Sequence, residues 1–247
     1  MWRFESTHEQ KETEYLDAVI ERIEVDEHLR GHTQAILDGV AAQEPLVAQS
    51  LLTPQDVRYH AEGPIMRDHL TLMLMVLTAV VEEKLHLIDI EEFRRLKGYE
   101  GEIQELEDLL KEQTVFFQVF ILVHDVCKWV SLSFTSVKDS TRFFETDSLE
   151  EKLKQRAVYL ERYEAFAREH NENSPRDVQA QFYLTHKIGV HYHNHGRHIH
   201  SRVYQELLDR LCVAHGLTDR DRALLEDLVS HHMEFGSDFD AVRPKRV

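Results

Sequence analysis

The sequence predicts an all-α protein, and three observations carry that prediction. The 247 residues include only nine glycines and five prolines, about half the usual share. None of these falls between Gly101 and Pro175, and so long a stretch without breakers suits helices. Apolar residues recur at helical spacing along most of the chain, nowhere with the sustained alternation of a strand.

Taken in order, residues from about Glu9 to Val40 give one or two amphipathic helices with Leu16, Val19, Ile20 and Ile23 on one face. Thr53-Pro54 has the form of an N-cap followed by proline at the first helical position. Gly63-Pro64 breaks the chain, and a strongly apolar helix is expected from Met66 to Leu87. Asp89 to Lys97 and Glu102 to Lys111 read as short charged helices. Val115 to Val130 is apolar nearly all round, the pattern of a buried central helix. Ser131 to Asp147 reads as a loop and Leu149 to His170 as a helix. Another helix runs from Ser174-Pro175 to Lys187, followed by an irregular histidine-rich segment, Ile188 to Gly196. Arg197 to His215 is a helix closed by Gly216. Thr218 caps a last one to His232, and Glu234 to Val247 is expected to be extended. The expected organisation is an accessory helical segment over 1–52 and one helical domain over 53–247.

Composition removes several function classes. With 45 acidic and 29 basic residues the formal charge is −16, which disfavours a nucleic-acid polymer as partner, because phosphate backbones need basic stripes. The first fifteen residues lack the apolar core of a signal peptide. The apolar run Leu70 to Val81 is too short to span a bilayer, so no membrane is expected. Cys127 and Cys212 are too few for a disulfide framework and read as buried thiols of a cytoplasmic protein. There is no Gly-rich phosphate loop, GxSxG, CxxC or HExxH.

The compositional oddity is 17 histidines. The strongest local signal is Val123-His124-Asp125-Val126-Cys127-Lys128, at the end of the apolar run. A charged dyad there is costly unless paired or metal-bound. Lys128 follows Asp125 by three residues on the same helical face, where it could meet a phosphate oxygen.

VHDVCK resembles the LHDIGK signature of the HD superfamily of metal-dependent phosphohydrolases, and the similarity extends over roughly residues 60–240. In that family an upstream helix supplies a first histidine, and GPIMRDHLTLML places His69 there, with Glu82 to Thr114 as an insertion before the dyad. HYHNHGRHIHSRVYQELLDRL and ALLEDLVSHHMEF are similar to the helix pair after the dyad in HD domains attached to some bacterial tRNA nucleotidyltransferases. That register selects His195 and His232, with His198 and His231 as alternatives. The YHNxxH stretch of cyclic-nucleotide phosphodiesterases favours His198 instead. A closing aspartate would come from Asp238 or Asp240. The resemblance implies a single HD-type helical domain with an N-terminal extension. It further implies a divalent transition metal (Fe, Mn, Zn or Ni), as one ion or a dinuclear pair bridged by Asp125, held by His69, His124, Asp125, His195 or His198, His232 and Asp238. Asp125 and Lys128 would serve catalysis on a small phosphorylated or nucleotide-like substrate, and the pattern leaves room for a homo-oligomer. Two other readings stay open: an HD-fold binding or regulatory protein without catalysis, and a di-iron oxygenase.

Overall fold

A computed structural model of the chain describes residues 23, 26–56, 60, 62–90, 93, 96–173 and 175–242. Among these the protein is all-α, with ten helices and one two-stranded ribbon. The chain divides into two compact units, each assembled from two separate stretches. The expected boundary between residues 52 and 53 falls inside the second of them. The expected helical face of Leu16, Val19 and Ile20 lies outside the described residues, as does part of the segment Asp89 to Lys97.

The first unit combines the described residues up to Asp38 with Thr71–Gln118. It takes most of α1 (Glu27–Gln43), the later part of α3 (Met66–Val81), α4 (Glu100–Glu112) and the start of α5 (Thr114–Val123). Its core gathers Leu29 from α1, Met75, Ala79 and Val80 from α3, Ile103 from α4, and Leu85 and Leu87 from the connection. The helix expected to reach Leu87 stops at Val81. Glu83, at φ 57°, turns the chain there, and Leu85 and Leu87 reach the core from a turn instead.

The second unit, Gly39–Leu70 with Val119–Val247, carries the histidines. It contains α2 (Pro45–Leu51), the first turn of α3, the end of α5, the short α6 (Lys128–Ser131), α7 (Leu149–Glu169), α8 (Pro175–His186), α9 (Arg202–His215) and α10 (Asp219–Val242). Two stretches read as irregular from sequence are strands: β1 (Leu132–Ser136) pairs antiparallel with β2 (Ile188–Tyr192), Leu132 opposite Tyr192 and Ser136 opposite Ile188. One face of this ribbon supplies Leu132, Phe134, Ile188 and Val190 to a core completed by Tyr159, Tyr163 and Phe182 from α7 and α8. Burial of that face is what makes strands of two segments too short to announce themselves.

Three further expectations change. Thr53-Pro54 begins no helix; Pro54 makes an isolated bridge with Ile65, and Met66 N–H donates to the Thr53 carbonyl at 2.8 Å. The apolar helix ends at Val123, and residues 124–127 form a turn before α6. The stretch 114–131 is long and apolar enough to cross a membrane, with 61% of it buried within the protein. The C-terminal segment is not extended, since α10 continues through Val242. Asp238 and Asp240 fall on that helix, and their side chains lie outside the described residues.

Candidate metal centre

The turn after α5 lets two consecutive side chains point the same way, which a continuing helix would not. His124 Nε2 lies 3.2 Å from Asp125 Oδ2. Three other segments of the second unit bring histidines to the same carboxylate. His69, in the first turn of α3, places Nε2 3.8 Å from Asp125 Oδ2. His195, opening the 3-10 turn that follows β2, places Nε2 2.9 Å from Oδ1. His232, on α10, places Nε2 3.3 Å from Oδ1. One carboxylate oxygen therefore faces His69 and His124, the other His195 and His232. In a coordination shell with ligand atoms about 2.0–2.2 Å from the ion, neighbouring donors stand at separations of this size.

The fold explains why His195 arrives and His198 does not. Ribbon pairing ends at Tyr192, Asn194 turns the chain in the left-handed region, and the 3-10 turn runs His195–His200. Gly196 lies so close to α10 that a Cβ there would sit 2.9 Å from the Val229 carbonyl oxygen and 3.0 Å from that of Ser230. This approach sets His195 and His232 Nε2 atoms 2.9 Å apart. His198 lies outside the cluster and is largely exposed; its partial desolvation and nearby Lys152 and His195 hold its imidazole below the usual range. His231 is exposed and donates from Nδ1 to the Asp227 carbonyl at 2.9 Å.

The donor chemistry fits a cation. His124 Nδ1 donates to the Ile121 carbonyl at 2.8 Å and His232 Nδ1 to the Val229 carbonyl at 2.6 Å. A carbonyl only accepts, so both rings carry their hydrogen on Nδ1, and a neutral ring then has a bare Nε2. These lone pairs face a carboxylate, itself only an acceptor. Two acceptors at 3.2–3.3 Å repel unless a positive charge stands between them. Protonating all four rings would set four charges, besides that of Lys128, against the carboxylates of Asp125 and Glu62; a metal ion satisfies the same lone pairs directly. His195, Asp125 and His124 are 2%, 3% and 6% exposed, so bulk solvent screens this repulsion little.

Lys128 is equally buried. Its Nζ donates to Asp125 Oδ2 at 2.7 Å and lies 3.5 Å from Gln55 Oε1 and 5.1 Å from the centre of the Tyr192 ring. Lys128, expected to meet a phosphate oxygen, is turned onto Asp125 in this structure. Burial pushes the Asp125 carboxyl up, but the nitrogen groups packed on it, those of His124, Lys128 and His195, outweigh it and hold it well below the usual range. Burial, with Asp125 adding to it, pushes the Cys127 thiol far up, so this cysteine is a small apolar packing residue beside the dyad.

Two residues that the sequence reading passed over adjoin the site. His60 and Glu62 form a group with His69 whose donor atoms lie within 4.8 Å of one another. Their only signal was position: a His and a Glu just ahead of Gly63-Pro64 and the histidine-bearing helix. Compared with family models, curated proteins and solved structures, the chain has no match in any of the three.

Proposed function

We propose that the protein is a metal-dependent phosphohydrolase of the HD type, acting on a small phosphoester or nucleotide. One observation carries the reading: four imidazoles, two of them buried and two partly so, converge on one buried aspartate, and the two rings whose Nδ1 hydrogen is fixed by a backbone carbonyl both turn a bare Nε2 toward Asp125. His69, His124 and Asp125 Oδ2 would hold one ion, and Asp125 Oδ1, His195 and His232 would hold the same ion or a second. Nitrogen and oxygen donors of this kind suit iron, manganese, zinc or nickel. When bound, such an ion would lower the pKa of a coordinated water toward about 7 and offset negative charge on the phosphoryl oxygens. The chain's own residues supply the rest. Asp125 holds the donors in register, the carbonyls of Ile121 and Val229 fix two rings, and Lys128 offsets negative charge that builds as the phosphoryl group is transferred. The acidity of the whole chain favours a nucleotide-sized substrate over a polyanion, and two free buried thiols fit a cytoplasmic setting.

A second reading, a regulatory protein that binds metal without turnover, draws on one observation: among the described side chains, Asp125 and Glu62 are the carboxylates that join the histidine groups. Elemental analysis with the metal-to-chain ratio, followed by hydrolysis of an aryl phosphate by the metal-loaded protein, separates the two. Lys128→Ala is expected to keep its metal and lose turnover. Stoichiometric metal without hydrolysis favours the regulatory reading, iron-dependent oxygen consumption favours an oxygenase, and no metal at all rejects the proposal.

A further inference from the structure

His60 and Glu62 belong to a strap of chain that is pinned from several sides. Gln55 N–H donates to the Pro64 carbonyl at 2.8 Å, Met66 N–H to the Thr53 carbonyl at 2.8 Å, and the buried Gln179 amide to the Gly63 carbonyl at 3.0 Å. A Cβ at Gly63 would run into the Asp68 side chain, whose Oδ2 accepts from Ile65 N–H at 3.1 Å. The strap thus presses on the first turn of α3, where His69 sits. Glu62 Oε1 there accepts from His69 Nδ1 at 2.6 Å and from His60 Nδ1 at 2.9 Å, and the two rings meet edge to face at 4.8 Å.

We propose that Glu62, steadied by His60, is a positioning residue that fixes His69 in the tautomer with hydrogen on Nδ1 and a bare Nε2 directed at Asp125. Among the described residues, Glu62 is the hydrogen-bond partner that selects which nitrogen of the His69 ring carries the hydrogen. The carboxylate does for His69 what the carbonyls of Ile121 and Val229 do for His124 and His232, and its charge adds basicity to the ligand nitrogen. The competing use of the trio, as a separate ion site, needs the same Nδ1 as a lone pair. The hydrogen would then move to Nε2, which stands 3.8 Å from Asp125 Oδ2, too far for a hydrogen bond, and His69 would be lost to the main cluster. The proposal rests on the reading of that cluster as a metal centre, yet the ring state can be measured without metal.

The test is long-range proton–nitrogen NMR of the imidazoles in the metal-free, full-length protein, with Zn²⁺ titration alongside. Wild type should show His69 with its hydrogen on Nδ1. Glu62→Ala should shift that ring toward the Nε2–H form and weaken Zn²⁺ binding about 10- to 100-fold at unchanged stoichiometry. Glu62→Gln, whose amide oxygen still accepts, should keep the tautomer and most of the affinity, and His60→Ala should fall between. An unchanged His69 ring in Glu62→Ala overturns the proposal, and so does loss of one whole metal equivalent, which would make the trio an ion site. A tautomer switch in a protein that takes up no Zn²⁺ supports the brace and rejects the metal-centre reading.

Discussion

Glu107 and Asp125 are both buried carboxylates with a lysine ammonium and imidazole nitrogen within reach, one in each unit. Around Glu107 every neighbour donates. Leu87 N–H reaches Oε2 at 2.9 Å, and Lys111 Nζ and His86 Nδ1 each reach Oε1 at 3.0 Å. That carboxylate is satisfied by the chain itself and ties α4 to the turn beneath it. Around Asp125 the count of neighbours is higher but the chemistry is reversed. Two of its imidazoles have already given their Nδ1 hydrogen to backbone carbonyls and bring lone pairs. Similar residue types thus make a structural ion pair in one place and, in the other, a cluster of imidazole lone pairs that fits a cation. What decides is where each imidazole's other nitrogen is engaged, a property of backbone geometry and not of composition.

The contrast is broken most sharply by removing the two carboxylates. Asp125→Ala should abolish metal binding and hydrolysis together. Glu107→Ala should leave the metal complement intact and lower stability by about 1–3 kcal/mol, the cost of a buried donor without a partner. Metal analysis and denaturant melts of both variants read this out, and a full metal complement in Asp125→Ala would sink the mechanism. Next in size, saturating metal at about 100 times its dissociation constant should stabilise wild type and Glu107→Ala alike by about 2.7 kcal/mol. Asp125→Ala should gain nothing, and a chelator should reverse the effect in a thermal melt. A smaller effect is expected from Gly196→Ala. The added methyl must push the 3-10 turn off the carbonyls of Val229 and Ser230, part His195 from His232, and weaken Zn²⁺ binding by about 10-fold, as loss of ligand positioning does, with α-helical circular dichroism unchanged.

The smallest effect is on the acid side. Burial pushes the Glu107 carboxyl up, but its donors outweigh this and bring it from 4.5 to about 2. Its folded value is depressed, so its stabilisation is present in full above pH 4.5 and is lost as the pH falls toward about 2. Glu107→Gln should flatten the fall of the urea midpoint across that window and run parallel to wild type above it.

The helices were legible because their signal is local. The breaker-free stretch after Gly101 does hold α4, α5 and α7. The strands were not, because Leu132–Ser136 is a strand only by virtue of Ile188–Tyr192, a partner more than fifty residues away. Thr53-Pro54 misled for the same reason, since its partner is Ile65. At the site, a charged dyad closing an apolar run marked His124 and Asp125. His232 was selected over His231 by resemblance, and helical spacing agrees: Leu225 and Val229 are buried, and 232 continues their face while 231 leaves it. The choice of His195 over His198 rests on the contact of Gly196 with α10, which no spacing within the segment encodes. His60 and Glu62 were overlooked because no periodic element carries them.

The ribbon register has a kinetic side. Asp125 and His195 are separated by 70 residues along the chain, and the antiparallel pairing of Leu132 with Tyr192 is what draws them together. Closing so long a loop is slow and entropically costly before its contacts repay it. A half-formed chain offers His124 beside Asp125 but lacks the opposing donors of His195 and His232. On the proposed reading, ion capture would follow closure of the ribbon, slow unfolding more than it speeds folding, and turn a reversible long-range pairing into a latched one.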